Sequence, residues 1–198
     1  ELFLGCKLVP LAAPEGKLRP EAVRAAATAF AVDPAAHHVQ PRVVSISQST
    51  EYGTVYRPDE ILALSTVARE LGLLLHMDGA RLANAAAALD LPLRALTADV
   101  GVDVVSFGGT KNGALAAEAV VFFDPARDAA VRFGRKQAMQ LPSKMRFVAA
   151  QFEALLRDGL WRRNALHANR MARRLAEGAA AVPGVTITRP VDANAVFA

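Results

Sequence analysis

The sequence predicts an α/β fold, a mostly parallel sheet with helices on both faces. Three observations predict it. Residues 42–77 read strand, helix, strand, which is the order of a βαβ unit with a right-handed crossover. Alanine supplies much of the 53% hydrophobic fraction and collects in helix-like segments. Residues 73–77 are nearly all apolar, as a parallel strand covered on both sides is.

The elements follow in order. Residues 2–11 are apolar and end in the turn Pro14-Glu15-Gly16-Lys17. Residues 19–30 have helical periodicity, with Pro20 placed to open the helix. Residues 33–41 read as a loop. Residues 42–48 alternate β-branched and polar side chains and read as a strand, followed by a polar, glycine-containing loop over 49–56. The clearest helix is 58–71: Pro58 suits its first position, Asp59 and Glu60 suit its dipole, and Gly72 closes it. After the strand 73–77, a helix is expected over 80–89 and strands over 103–107 and 118–123. Helices are expected over 125–139, 143–158 and 160–181. Strand material at 184–188 opens a smaller α+β part, so the chain divides into 1–150 and 151–198. Residues 193–198 read as the opening of another strand, and both ends of the chain look cut.

Composition narrows the function classes. The chain has 198 residues and a net charge of +4. Its mean hydropathy is +0.21, a globular value. Basic residues are spread over helix-like segments among acids, and no nucleic-acid-binding pattern accompanies them. No apolar run approaches the roughly 18 residues of a membrane helix. Cys6 is the single cysteine, which excludes an internal disulfide and suggests a reducing cytoplasm. His37-His38 has no partner at ligand spacing, so no metal site is expected. Neither a Walker lysine loop nor a nucleophile elbow occurs.

The chemistry lies at two strand ends. His76-Met77-Asp78-Gly79-Ala80-Arg81 closes one apolar run, and Ser106-Phe107-Gly108-Gly109-Thr110-Lys111-Asn112-Gly113 closes the next. If the two strands are near neighbours, Asp78 and Lys111 reach one crevice at the carboxyl edge. An amine with a carboxylate across from it is what pyridoxal 5′-phosphate needs: one to condense with its aldehyde, the other to keep its pyridine nitrogen protonated. Gly108 and Gly109 would leave room for ring and phosphate, and Thr110 would offer the phosphate a hydroxyl. Arg81 would hold the cofactor's phenolic oxygen or a substrate carboxylate. His76, on the same strand face as Asp78, would support it from behind. Each residue also has a plain structural reading. Lys111 could be an exposed lysine after a Gly-Gly turn, Asp78 a helix N-cap, Arg81 a helix-surface arginine and His76 a satisfied core histidine.

Several stretches resemble the threonine aldolase / β-eliminating lyase family of pyridoxal-phosphate enzymes, which has the aspartate-aminotransferase-like fold (fold type I). They are residues 48–56, 76–85 and 106–112, then 118–120, Arg135-Lys136 and 143–147. The order and spacing match over most of the chain. The resemblance implies aldol cleavage of L-threonine or L-allo-threonine to glycine and acetaldehyde. It makes Lys111 the Schiff-base lysine, Asp78 the pyridine-nitrogen partner and Arg81 a cofactor or carboxylate contact. It assigns Lys136 and Arg146 to the phosphate, often across subunits, and implies a homodimer or homotetramer with shared active sites. Many relatives carry a histidine in the loop matching Thr50-Glu51. Glu51 stands there in this chain, as a candidate base that burial would have to tune. The family's ring-stacking histidine and carboxylate-binding arginine are expected outside residues 1–198. Another pyridoxal-phosphate lyase or aminotransferase, or a non-catalytic remnant acting as an oligomerisation partner, stands as the alternative.

Overall fold

The computed structural model describes residues 5–31 and 39–198. Helix α1 spans Pro20–Ala31, strand β1 Val43–Ser47, α2 Pro58–Glu70, β2 Leu74–Gly79 and α3 Leu82–Leu89. Then come β3 Val104–Gly108, β4 Glu118–Phe122, α4 Asp128–Gln137, α5 Arg146–Leu156 and α6 Leu160–Ala180. The architecture is α/β. Strands run in the order β1-β2-β3-β4, with β1, β2 and β3 parallel and β4 antiparallel to β3. His37-His38 and most of the loop expected at 33–41 lie outside the described residues, as do the first residues of the apolar run 2–11.

Local chemistry explains the βαβ unit. Pro58 opens α2, and Glu60 reaches back to accept from the Arg57 N–H at 2.7 Å. This satisfies a donor the helix cannot pair internally. Gly72, at φ +68°, turns the chain out of the helix and into β2. Strand period then sorts the side chains. Val44, Ile46, Leu75, Met77, Val105 and Phe107 are buried in one cluster with Ile61 and Leu64 of α2 and Leu82 and Ala85 of α3. A fully buried Leu, Ile or Met contributes about 1.5–3 kcal/mol, so this cluster holds the sheet to its helices. Ser45, His76, Asp78 and Ser106 fall on the opposite face and are less buried.

Five expectations are corrected. Helix α3 begins at Leu82 and not at Ala80, because the Ala80 N–H is drawn 2.9 Å from the Asp78 carboxylate in a turn. The stretch 125–139 splits into a 3₁₀ turn, Pro125–Arg127, and α4, while α5 starts only at Arg146. Residues 184–188 form no strand. The Thr188 N–H meets the Phe197 carbonyl at 2.9 Å, but one bond is not a ladder. Residues 193–198 form none either. Ala193 joins the main core, and the Asp192 carboxylate accepts from the Val55 N–H at 3.2 Å. Helix α6 packs along α3, and Phe152 of α5 stacks on Phe107 of β3 at 5.7 Å.

Candidate active site

Strands β2 and β3 are hydrogen-bonded neighbours, with Asp78 directly opposite Ser106. Both therefore end at one edge of the sheet, where ligands gather in open α/β folds. Asp78 sits at the end of β2. Lys111 sits in the 3₁₀ turn Thr110–Asn112 just past β3, before the chain reverses into β4. Lys111 is exposed and, among the described residues, has no hydrogen bond or ion pair. Asp78 Oδ1 accepts from the Ala80 N–H, and Oδ2 has no partner among the described residues. The carboxylate thus shapes the turn with one oxygen and keeps the other for a ligand.

The glycines before Lys111 play a different part from the one expected. A Cβ at Gly108 would lie 2.9 Å from Ala80 Cα and 3.0 Å from Glu118 Oε2. A Cβ at Gly109 would lie 2.8 Å from the Ala117 carbonyl oxygen and 2.9 Å from the Phe152 ring. The chain itself fills the room anticipated for ring and phosphate. These glycines let β3 close against the Asp78–Arg81 turn and against α5. Thr110 Oγ1 accepts from the Ala117 N–H at 3.2 Å, and its own proton is free to donate elsewhere.

Arg81 stands at the N-terminal boundary of α3, and its Nη1 lies 3.8 Å from Glu51 Oε1. Two residues singled out from distant parts of the sequence are thereby brought together. The Arg81 side chain is 28% exposed and that of Glu51 is 77% exposed. Among the described residues, nothing covers the Glu51 carboxylate.

Residues 48–56 carry Glu51, and they are braced by side chains that sequence reasoning passed over. Gln48 is fully buried. Its Nε2 donates to the Tyr56 carbonyl at 2.8 Å, and its Oε1 accepts from the Tyr56 N–H at 3.0 Å. Thr50 and Thr54 share a hydroxyl–hydroxyl bond of 2.7 Å. The Tyr56 hydroxyl accepts from the Leu18 N–H at 2.6 Å, and burial pushes its pKa up to about 12. The available signal for Gln48 was its register, in step with Val44 and Ile46 on the inward side of an alternating strand.

His76 is satisfied on both sides. Its Nδ1 pairs with Ser45 Oγ at 2.8 Å and its Nε2 with Ser106 Oγ at 2.9 Å. Burial lowers its pKa below the ordinary 6.5, and the charge of Asp78 offsets only part of that. It therefore makes no hydrogen bond to Asp78, and the two communicate through space. Lys136 on α4 and Arg146 at the start of α5 are exposed, and the Arg146 guanidinium lies 4.9 Å over the Phe147 ring. Neither bonds to Lys111, Asp78 or Arg81.

A sequence model described as Beta-eliminating lyase matches residues 1–198. The chain is 51% identical over 195 residues to a low specificity L-threonine aldolase of Pseudomonas aeruginosa, covering 98% of this chain and 55% of that protein. It is 47% identical over 193 residues to a protein of the same name from a Pseudomonas species, again over 98% of this chain and 55% of the relative. Among solved structures, a threonine aldolase of Leishmania major superposes with a TM-score of 0.86 at 31% identity, over 98% of this chain and 55% of that one. The chain spans about half the length of the curated relatives it matches. With its whole length matched and half its residues shared with such a relative, the chain belongs to the Beta-eliminating lyase family.

Proposed function

We propose that the protein is a pyridoxal-phosphate-dependent aldehyde-lyase that cleaves L-threonine or L-allo-threonine to glycine and acetaldehyde. One observation carries the reading. An amine, Lys111, and a carboxylate, Asp78, which among the described residues keep the nitrogen and one oxygen without a partner, close neighbouring parallel strands at the same edge. The name of the Pseudomonas aeruginosa relative supports the choice of substrate.

The donor set fits pyridoxal 5′-phosphate. Lys111 would supply the amine for its aldehyde, Asp78 would hold the proton on its pyridine nitrogen, and Thr110 would donate to its phosphate. Arg81 would take its phenolic oxygen or the substrate carboxylate. Bound there, the cofactor supplies an electrophilic aldehyde and a protonated ring that accepts the electron pair left on Cα when the Cα–Cβ bond breaks. Lys111 reacts as the free amine, so its proton must leave first. His76, held between two serines and with burial favouring its neutral form, makes no hydrogen bond to Asp78 and would leave that carboxylate to the cofactor. To Glu51 we assign the proton of the substrate hydroxyl. Its seat beside Arg81 on a cross-braced loop supports this, and closure around substrate would have to supply the burial it lacks.

Lys136 and Arg146 are assigned to the phosphate of a neighbouring protomer, in a homodimer or homotetramer. Both are exposed, and no acidic partner meets either among the described residues. Residues 1–150 are assigned to the cofactor-binding part and 151–198 to the start of a second. A cytoplasmic location is supported by the single, unpaired Cys6. Among the described residues no helix is long and apolar enough to cross a membrane.

Full-length protein mixed with pyridoxal 5′-phosphate should turn yellow and release acetaldehyde and glycine from L-threonine. Lys111→Ala should abolish both. A protein that stays colourless refutes the cofactor reading. Release of ammonia and a keto acid would instead point to another pyridoxal-phosphate lyase or an aminotransferase.

A further inference from the structure

The two turns that carry Lys111 and Asp78–Arg81 are gripped by one helix. At its start, Trp161 of α6 offers its carbonyl to Asn112 Nδ2 at 3.0 Å, and Asn164 Nδ2 donates to the Asn112 carbonyl at 2.8 Å. Asn112 is the residue next to Lys111. The approach is close: a Cβ at Gly113, which has φ +113°, would lie 2.9 Å from Asn164 Nδ2. Further along α6, Asn169 pairs reciprocally with Asn84 of α3. Asn84 Nδ2 donates to Asn169 Oδ1 at 3.0 Å, and Asn169 Nδ2 donates to the Asn84 carbonyl at 2.9 Å. The Asn84 N–H in turn bonds the Arg81 carbonyl at 3.0 Å.

Packing alone does not call for these residues. Asparagine is a poor helix former, yet Asn84, Asn164 and Asn169 all lie within helices. Asn84 and Asn169 are buried, and the α3–α6 contact around them is built of small apolar side chains, Ala83, Ala87 and Ala165. Leucine or alanine would serve a purely apolar contact at least as well. Asn112 is buried too, and its Oδ1 has no partner among the described residues. An orphaned acceptor is destabilising, so the residue is kept for its donor and its place in the turn. What the four amides add is direction: each fixes a backbone carbonyl or a facing amide at one register and one distance.

We propose that α6 is a strut that sets the Lys111 turn against the Asp78–Arg81 turn, with Asn164 and Asn169 as positioning residues acting through Asn112 and Asn84. The proposal rests on the assignment of Lys111 and Asp78 to pyridoxal 5′-phosphate. The test uses full-length protein carrying Asn164→Ala, the paired change Asn84→Leu with Asn169→Leu, and Lys111→Ala. The leucine pair has the same number of side-chain heavy atoms, so it keeps the contact filled while it removes the amide bonds.

In cofactor-free Asn164→Ala, hydrogen exchange in residues 109–114 should accelerate about tenfold, the scale of one lost hydrogen bond. The same variant should bind pyridoxal 5′-phosphate about tenfold more weakly. Its kcat should fall by a similar factor with KM for L-threonine within about twofold, because geometry and not substrate capture is lost. The leucine pair should show the same kcat loss with thermal unfolding unchanged or raised. Faster exchange with cofactor affinity and kcat unaltered would make Asn164 merely structural and overturn the proposal. Unchanged exchange, or a fully active leucine pair, would also overturn it. Borohydride trapping of the pyridoxyl group separates this failure from that of the underlying assignment. If Lys111→Ala still traps the group at its usual site, the assignment of Lys111 is wrong. If Lys111→Ala loses it while the asparagine variants match the parent, only the strut is wrong.

Discussion

Replacing Gln48 by Met isolates what holds the loop under Glu51. The Gln48 amide closes residues 48–56 on themselves, with one bond to the Tyr56 carbonyl and one from the Tyr56 N–H. The Gln48 backbone N–H also donates to the Asp78 carbonyl at 2.8 Å, which ties the loop to β2 beside the site. Methionine has nearly the same length and volume but offers neither polar atom. Two backbone groups of Tyr56, a residue only 1% exposed, would then be left without partners. Each orphaned group costs about 1–3 kcal/mol, and the better transfer of Met offsets part of the sum. We expect a net loss of about 3 kcal/mol. Gln48→Ala should cost roughly 2 kcal/mol more, from the cavity it opens. Denaturant unfolding of the full-length protein reads the global loss, and exchange of the Tyr56 amide reads the local one. At 1.36 kcal/mol per factor of ten, that amide should exchange on the order of a hundredfold faster. A Met variant within about 0.5 kcal/mol of the parent, the usual range for neutral substitutions, would show that the amide is not what holds the loop.

Two further perturbations test other parts of the site. Gly108→Ala places a Cβ 2.9 Å from Ala80 Cα, where only backbone can yield, so it should lower stability by about 1–3 kcal/mol. An unchanged melting temperature would mean that β3 and the Asp78–Arg81 turn can part freely. His76 gives a pH signature. Burial lowers its pKa from 6.5, so the unfolded chain binds the proton more readily than the folded one. Its contribution is present above the unfolded pKa and is lost as pH falls through it towards the folded value. His76→Gln, which cannot titrate, should flatten the stability profile on the acid side of the ordinary histidine pKa of 6.5, as read by urea midpoints. An identical slope in parent and variant would assign that acid sensitivity to other groups.

Much of the sheet was legible in the sequence because its signals are local. Pro58, Gly72 and strand alternation bound α2, β1 and β2 to within a residue or two. The juxtaposition of Asp78 and Lys111 at one edge followed from chain order and the rule for parallel strands. Four things were not legible, for one shared reason: they depend on contacts between distant segments. The packing of Gly108 and Gly109 needs Ala80 and Phe152 in place. The exposure of Glu51 depends on what covers the loop, and a single residue's identity does not reveal that. The strand expected at 184–188 had a suitable composition but pairs with no strand among the described residues, and the chain beyond it goes into the core at Ala193. The asparagine pairs were hidden in helices that looked merely amphipathic.

The reversal from β3 into β4 carries a consequence for remodelling this protein. Lys111 rides on a short hairpin whose two arms are stitched together from Gly108–Glu118 to Val104–Phe122. Adding or deleting a residue inside the hairpin would swing the amine bodily away from its counterpart. The longer excursion from β2 to β3 holds α3 and two 3₁₀ turns, and its outer part, past Leu89, is where changes in length could be absorbed with Asp78 and Lys111 still at one edge. Engineers seeking to graft a new segment near this edge should therefore enter there and leave the hairpin alone.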